Sequence, residues 1–178
     1  SWCLPVAHIP YHNVATAVQT LAAIQRLPDQ SVVASVLQSL RVPGRLQTFI
    51  RKRGDQVLRL TLDVAHNEQA AAYIGQQLQQ VDGIILGMLS DKDAAAVARV
   101  LPATGRMILA SLGGPRGLSA QDLSVKGGFT VPLQQVGSVA EAMVLLPERG
   151  HWLVCGSFYT VEAALDVIQQ EDGQWNSI

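Results

Sequence analysis

Asp63 and His66 are the residues whose types and spacing first suggest chemistry. Asp63 lies near the end of the β-favouring run 57–64, and His66 stands just before Asn67, which is placed to cap an alanine-rich helix. A carboxylate can accept hydrogen bonds from ribose hydroxyls, and an imidazole can lie beside a base. The same side chains can instead cap turns, and their spacing favours neither interpretation. At the carboxyl end of a strand in an open α/β sheet, both would face the crevice where such sheets bind ligands.

Lys92 is a candidate for binding an anion. It lies between Asp91 and Asp93 at the start of a predicted helix. A cation in the first helical turn is disfavoured by about 0.3–1 kcal/mol, so a lysine there requires an explanation. Either Lys92 meets a substrate anion, or the two aspartates neutralise it at the surface.

Two arginines lie in glycine-containing loops. Arg116 belongs to the GGPRG loop at residues 113–117, and its guanidinium can hold a carboxylate in a fork. The loop is neither a GxGxxG nor a Walker pattern, which favours a plain strand–helix turn. Arg45 follows Pro43-Gly44 and can lie over phosphates or simply form part of a hinge.

Several classes of site are absent from the sequence. The chain has no GxxxxGK[ST] loop, so another domain would have to hold most of the phosphates of a nucleotide triphosphate. His8 and His12 have HxxxH spacing, but Pro10 lies between them and no third ligand is near, so we predict no zinc site.

Composition indicates a globular protein with a large core. Hydrophobic residues make up 48% of the 178 residues, charged residues make up 15%, and the formal net charge is -1. No basic stripe is present, which argues against nucleic acid as a partner. No apolar run approaches the ~18 residues that span a bilayer, and no signal-peptide pattern opens the chain, so we expect no membrane and a cytoplasmic location.

The elements that must position these residues alternate after residue 42. Before it, the apolar spacing predicts helices at 13–25, capped by Asn13, and at 31–40. After it, strands at 45–51 and 57–63 form a hairpin around Gly54, and the tail 171–178 is expected to fray. The remaining predicted strands are 83–86, 106–110, 129–134 and 152–155, and the remaining predicted helices are 67–80, 92–101, 119–123, 139–145 and 159–170. This order predicts an α/β, Rossmann-like fold, with a mostly parallel sheet, one antiparallel strand and helices on both faces.

Five motifs in this order resemble one enzyme family. They are PGRLQ at 43–47, DVAHN at 63–67, GMLSDKD at 87–93, GGPRG at 113–117 and CGSFYTV at 155–161. Together they resemble the C-terminal part of folylpolyglutamate synthases, especially the bacterial form that is also a dihydrofolate synthase, in the Mur ligase superfamily. HIPYHNVATAV at 8–18 is similar to the segment that closes the family's central ATPase domain. The resemblance implies that residues 1–42 are a helical tail of that domain and that 43–178 are a Mur ligase-type C-terminal domain.

The resemblance also implies an activity and a set of contacts. In this family ATP phosphorylates a pteroate or folate carboxylate, and the amine of glutamate attacks the acyl phosphate to form an amide. Asn13 and Arg45 are then expected at the nucleotide, with Asp63 at the ribose and His66 near the base. The glutamate-side residues implied are Lys92 and Ser157, with Arg116 as a further candidate.

The family's phosphate loop and magnesium ligands have no counterpart in this sequence. The resemblance therefore implies that the N-terminal ATPase domain of the same polypeptide is missing, and that ATP and magnesium act only in the intact enzyme. Glu68 also replaces the proline that usually follows AHN; both suit a first helical turn. The alternative is a stand-alone Rossmann-like module that binds a nucleotide or anion without catalysis. On either interpretation we expect the chain alone to be inactive as a ligase.

Overall fold

The computed structural model describes residues 2–5, 9–171 and 173–178 of the chain. Within that part, no helix has both the length and the hydropathy needed to cross a bilayer. His8, for which we predicted no zinc site, lies outside the described residues. The chain divides into two compact units, Ser1–Arg45 and Leu46–Ile178, which are described separately here.

The first unit contains two helices, α1 at Tyr11–Ala23 and α2 at Gln30–Ser39. The prediction that Asn13 caps the first helix is wrong. The helix begins two residues earlier because Pro10 occupies the cap position, and the Pro10 carbonyl accepts a hydrogen bond from the Asn13 N–H at 2.9 Å. Asn13 is therefore an exposed residue inside the first turn. The assignment of this region to an ATPase domain stays a prediction.

The second unit is a seven-stranded sheet with helices on both faces, which confirms the predicted fold class. Its strands are β1 (Gln47–Arg53), β2 (Gln56–Asp63), β4 (Gly83–Leu86), β6 (Met107–Ala110), β7 (Leu133–Val136), β8 (Gly150–Cys155) and β9 (Trp175–Ser177). A separate pair is formed by β3 (Gln80–Val81) and β5 (Ala103–Thr104). The helices are α3 (Glu68–Leu78), α4 (Ala94–Val100), α5 (Ala120–Gly127), α6 (Val139–Val144) and α7 (Phe158–Gln170).

The strand order is β7-β6-β4-β8-β2-β1-β9, and among these seven strands β1 alone runs antiparallel to the other six. Strands β4 and β8 are nearly continuous apolar runs because helices cover both of their faces. Helices α6 and α7 pack on one face through residues such as Met143 and Ala164. Helices α3, α4 and α5 pack on the other face through residues such as Ile74, Val97 and Leu123. The result is a three-layer α/β/α arrangement.

The hairpin was predicted correctly, but the C-terminal tail was not. Strands β1 and β2 pair antiparallel around Gly54, whose φ of 58° suits a glycine. The tail was expected to fray, yet β9 pairs with the outer edge of β1. Side chains explain why the tail is ordered. The Trp175 Nε1 donates to Glu171 Oε2 at 2.7 Å, and the buried Arg51 guanidinium lies 4.9 Å from the Trp175 ring centroid.

Glu171 is the anion of this cluster, because Arg51 Nη1 also lies 3.5 Å from its Oε2. Replacing Glu171 by alanine removes a partner from the Trp175 indole and from a buried guanidinium. We expect Glu171→Ala to lower the free energy of unfolding by about 1–3 kcal/mol in urea denaturation. Glu162→Ala, at an exposed position of α7, the helix that Glu171 caps at its carboxyl end, should change it by less than about 0.5 kcal/mol. Equal effects of the two substitutions would contradict the role given to Glu171.

Candidate functional site

Neighbouring strands β4 and β8 mark the point where a ligand crevice is expected. The connection from β4 leads to β6 on one side of the sheet, whereas α7 leads from β8 to β9 on the other. Open α/β sheets bind ligands at the carboxyl ends of strands where the connections diverge in this way. A pocket of about 300 Å³ lies there, lined by His66, Leu89, Lys92, Arg116, Ser157, Phe158 and Tyr159. It brings together four of the residues that the sequence singled out.

His66 enters the pocket from the turn between β2 and α3. Asn67 caps α3 as predicted, with its side-chain oxygen accepting from the Ala70 N–H at 2.9 Å. The His66 Nδ1 lies 2.9 Å from the Val64 carbonyl oxygen. Because a carbonyl can only accept, Nδ1 carries the hydrogen, and Nε2 of the neutral ring is an acceptor. The imidazole also packs beside Phe158, with ring centroids 6.2 Å apart.

Asp63 has a different environment from the one predicted. We expected a partly exposed carboxylate facing an open crevice, and this is wrong because Asp63 is only 4% exposed. Its Oδ2 accepts from the Leu46 N–H and its Oδ1 from the Ala65 N–H, both at 2.9 Å. The carboxylate thus joins the start of the hairpin to the strand–helix turn. Its contact with a ribose stays a prediction.

Lys92 also lies in a different position from the one predicted. Helix α4 begins at Ala94, and Asp93 is its cap, accepting from the Ala96 N–H at 2.9 Å. Lys92 therefore precedes the cap, and the predicted first-turn penalty does not apply to it. The Lys92 Nζ lies 2.9 Å from Asp91 Oδ2, so one of the flanking aspartates does pair with it. Lys92 nevertheless keeps a place in the wall of the pocket.

Arg116 holds a carboxylate, as its chemistry allowed, but that carboxylate belongs to Asp91. The Arg116 Nη2 lies 3.0 Å from Asp91 Oδ1. Hydrogen bonds from Lys92 first, and then from Arg116, lower the pKa of Asp91 to about 2. The exposed Asp91 is therefore ionised at neutral pH, and it holds the two cations side by side.

The loop that carries Arg116 does more than connect a strand to a helix. The Ser90 N–H donates to the Arg116 carbonyl at 2.8 Å, and Leu89 bridges to Gly117. A Cβ at Gly117 would lie 2.0 Å from the Leu112 carbonyl oxygen, so the tight path of the loop requires glycine. These contacts fix Arg116 beside the loop that carries Lys92.

Ser157 is the cap of α7, a role that we did not predict. Its Oγ accepts from the Thr160 N–H at 3.0 Å, and Ser157 is 2% exposed. Leu89, Phe158 and Tyr159 also lie in the pocket wall and were not predicted as site residues. A serine that follows an apolar strand and precedes a segment with helical apolar spacing is a preferred N-cap, and this signal could have pointed to the first turn of α7.

The other expected site residues belong to the first unit. Asn13 lies in α1, and the Arg45 N–H donates to the Val42 carbonyl at 3.1 Å. No group of three or more metal-ligating side chains occurs in the part of the chain that the structure describes. A second pocket, of about 490 Å³, lies near the amino ends of β4 and β6 and is lined by none of the predicted site residues.

Comparison with known proteins confirms the resemblance that the motifs indicated. No protein-family model matches the chain. The chain is 31% identical over 172 residues to the dihydrofolate synthase/folylpolyglutamate synthase of Escherichia coli K12, a match that covers 93% of this chain and 40% of the relative. The chain therefore spans less than half the length of that relative.

Two solved structures agree with this match. Escherichia coli FolC in complex with ADP has a TM-score of 0.73 at 31% identity, covering 94% of this chain and 41% of that one. The bifunctional folylpolyglutamate synthase/dihydrofolate synthase of Yersinia pestis, complexed with AMPPNP and a Mn ion, has a TM-score of 0.70 at 34% identity, covering 93% and 41%.

The two hydrogen bonds of Asp63 give a direct test of its structural role. In Asp63→Asn one carboxylate oxygen becomes an NH₂ donor that faces a backbone N–H. We expect the free energy of unfolding to fall by about 1–3 kcal/mol, measured by urea denaturation. Asp166→Asn, on the exposed side of α7, is the matched control and should be nearly neutral. An Asp63→Asn protein as stable as the control would contradict this structural role and would indicate that Asp63 serves a ligand instead.

Proposed function

We propose that the chain is the C-terminal part of an ATP-dependent ligase that joins glutamate to dihydropteroate or to folates through an acyl phosphate. The observation that carries this proposal is the pocket shared by His66, Lys92, Arg116 and Ser157. The similarity to dihydrofolate synthase/folylpolyglutamate synthase over 93% of the chain supports it.

The pocket has the chemistry to bind the carboxylates of glutamate. Lys92 and Arg116 supply two cations, and Asp91 neutralises only one charge of the pair. The amino end of α7 adds a partial positive charge near Ser157 and Phe158. An incoming carboxylate can bind further donors of the two cations, because a guanidinium has five N–H donors and an ammonium has three, and Asp91 contacts one nitrogen of each. We therefore assign the pocket to glutamate.

His66 lies with the glutamate-side residues rather than apart from them. It lines the same pocket as Lys92 and Arg116. This position favours a contact between His66 and glutamate. The expected contact of His66 with the adenine base stays a prediction.

For Asn13 and Arg45, and separately for Asp63, contact with the nucleotide in the intact enzyme is a proposal that rests on the family similarity. The burial of Asp63 and its hydrogen bonds from two backbone N–H groups fix the orientation of its carboxylate, and we propose that this carboxylate contacts the ribose in the intact enzyme. Relatives were solved with ADP, and with AMPPNP and manganese, which supports a nucleotide and a divalent cation. We propose that the cation is magnesium and that its ligands lie in an N-terminal ATPase domain of the same polypeptide. The enzyme would then serve folate biosynthesis in the cytoplasm.

These residues would act by position and charge. Lys92 and Arg116 would hold the glutamate carboxylates so that its amine points toward the acyl phosphate. Holding two reactants at the correct distance can supply much of the barrier reduction of an amide-forming reaction. A positive guanidinium such as that of Arg45 near the transferred phosphoryl group would stabilise developing negative charge.

A chimeric enzyme tests the proposed activity. The chain would replace the matching C-terminal segment of the Escherichia coli relative, and glutamate-dependent ADP release with dihydropteroate would be measured. We expect the chimera to be active and the isolated chain to turn over no ATP, because it lacks a phosphate-binding loop. Steady ATP turnover that scales with the isolated chain would contradict the proposal. A folded but inactive chimera, with glutamate bound by the chain alone, would favour the stand-alone binding module.

Lys92 allows a more specific test in the same chimera. Lys92→Ala removes one charged donor from the pocket, so we expect the KM for glutamate to rise about tenfold. The KM for ATP should change less than about twofold. Lys126→Ala, at an exposed position near the end of α5, is the matched control and should change neither constant. An unchanged glutamate KM in Lys92→Ala would instead support the alternative that the flanking aspartates only neutralise Lys92 at the surface.

A further inference from the structure

Thr160 is a buried polar residue behind the pocket. The proposed mechanism assigns no role to it. It lies in the first turn of α7 and is 0% exposed. Its Oγ1 lies 2.7 Å from the Gly87 carbonyl oxygen and 2.7 Å from the Ser157 Oγ. One hydroxyl therefore contacts both the loop that leads to Lys92 and the cap residue of the pocket.

The partners fix the direction of these hydrogen bonds. The Gly87 carbonyl can only accept, so Thr160 donates its hydroxyl hydrogen to Gly87. The Thr160 Oγ1 is then an acceptor toward Ser157, and the Ser157 hydroxyl must donate its hydrogen to Thr160. Ser157 Oγ in turn accepts from the Thr160 N–H at 3.0 Å.

This arrangement limits what Ser157 can offer a ligand. Its single hydrogen is committed to Thr160, and one of its two lone pairs is committed to a backbone N–H. The remaining lone pair is an acceptor, and it suits an N–H donor rather than a carboxylate. The charged donors that can bind a carboxylate are on other residues of the pocket wall, Lys92 and Arg116.

We propose that Thr160 is a positioning residue that orients the Ser157 hydroxyl as a hydrogen-bond acceptor for the amine of an incoming amino acid. The inference rests on the proposed function, because it assumes that glutamate occupies the pocket. It also separates two contributions to binding. The cations bind the carboxylates of the ligand, and the Ser157 hydroxyl, oriented by Thr160, binds its amine. Thr160 does not itself touch the substrate.

Two ligands separate these contributions. L-glutamate has the amine, and glutarate has the same two carboxylates without it. Binding of each to the full 178-residue chain would be measured by calorimetry. The unmodified chain should bind glutamate about tenfold more tightly than glutarate, since a hydrogen bond to a charged group has about that effect.

In Thr160→Val this preference should fall to about twofold or less, with glutarate affinity changed little, because Ser157 loses the acceptor for its hydrogen. Thr160→Ser keeps the hydroxyl and should retain the preference. Thr61→Val is the matched control: Thr61 is also a buried threonine whose hydroxyl is hydrogen bonded, but its partners are Thr48 and His151, which do not line the pocket. It should keep the preference even if the protein becomes less stable.

A double-mutant cycle tests whether Thr160 acts through Ser157. In a Ser157→Ala background, Thr160→Val should cause no further loss of preference. A full additional loss, or an equal loss in Thr61→Val, would overturn the positioning role while leaving the proposed function intact. Failure of the unmodified chain to bind either ligand would overturn both proposals.

Discussion

The peptide group of Gly87 is the constraint on which the site depends. Its N–H donates to the Cys155 carbonyl at 3.2 Å, and its carbonyl accepts from Thr160 at 2.7 Å. A Cβ at Gly156 would lie 2.3 Å from the Gly87 oxygen, and Gly156 has a φ of 113°, so glycine is required there for two reasons. The ends of β4 and β8 thus approach more closely than side chains permit. Because of this approach, the loop carrying Lys92 and the first turn of α7 form walls of one pocket.

Electrostatics then determine what the pocket can accept. Asp91 holds Lys92 and Arg116 next to each other, although two cations would otherwise repel, and its hydrogen bonds from both cations lower its pKa to about 2. One carboxylate beside two cations leaves a net positive charge in the pocket wall, and the partial positive charge at the amino end of α7 adds to it. The larger pocket at the other end of the sheet has no such convergence of charge on its walls. Charge, rather than volume, therefore identifies the candidate site.

The sequence predicted the features that depend on local chemistry. Strand Gly83–Leu86, the Gly54 hairpin and the Asn67 cap follow from apolar runs, turn glycine and capping preference. Features that depend on distant partners were missed. The Asp63 carboxylate is buried because strand pairing brings the Leu46 N–H to it from 17 residues away. Strand β9 forms because the outer edge of β1 is available for pairing. A strand of three residues is too short to show an apolar periodicity from which it could be predicted. The start of α4 was misplaced because Asp91 and Asp93 are both good caps, and only the structure distinguishes them.

The central claim is that the convergence of four predicted residues forms a binding site for an anionic amino acid. It can be tested by titrating the ¹⁵N-labelled chain with L-glutamate and mapping the amide shifts. Saturable shifts are expected at residues 66, 89–92, 116 and 157–160, with little change around the second pocket at 98–104 and 127–131. Shifts confined to that second pocket, or no shifts at any glutamate concentration, would show that these four residues do not form a glutamate site.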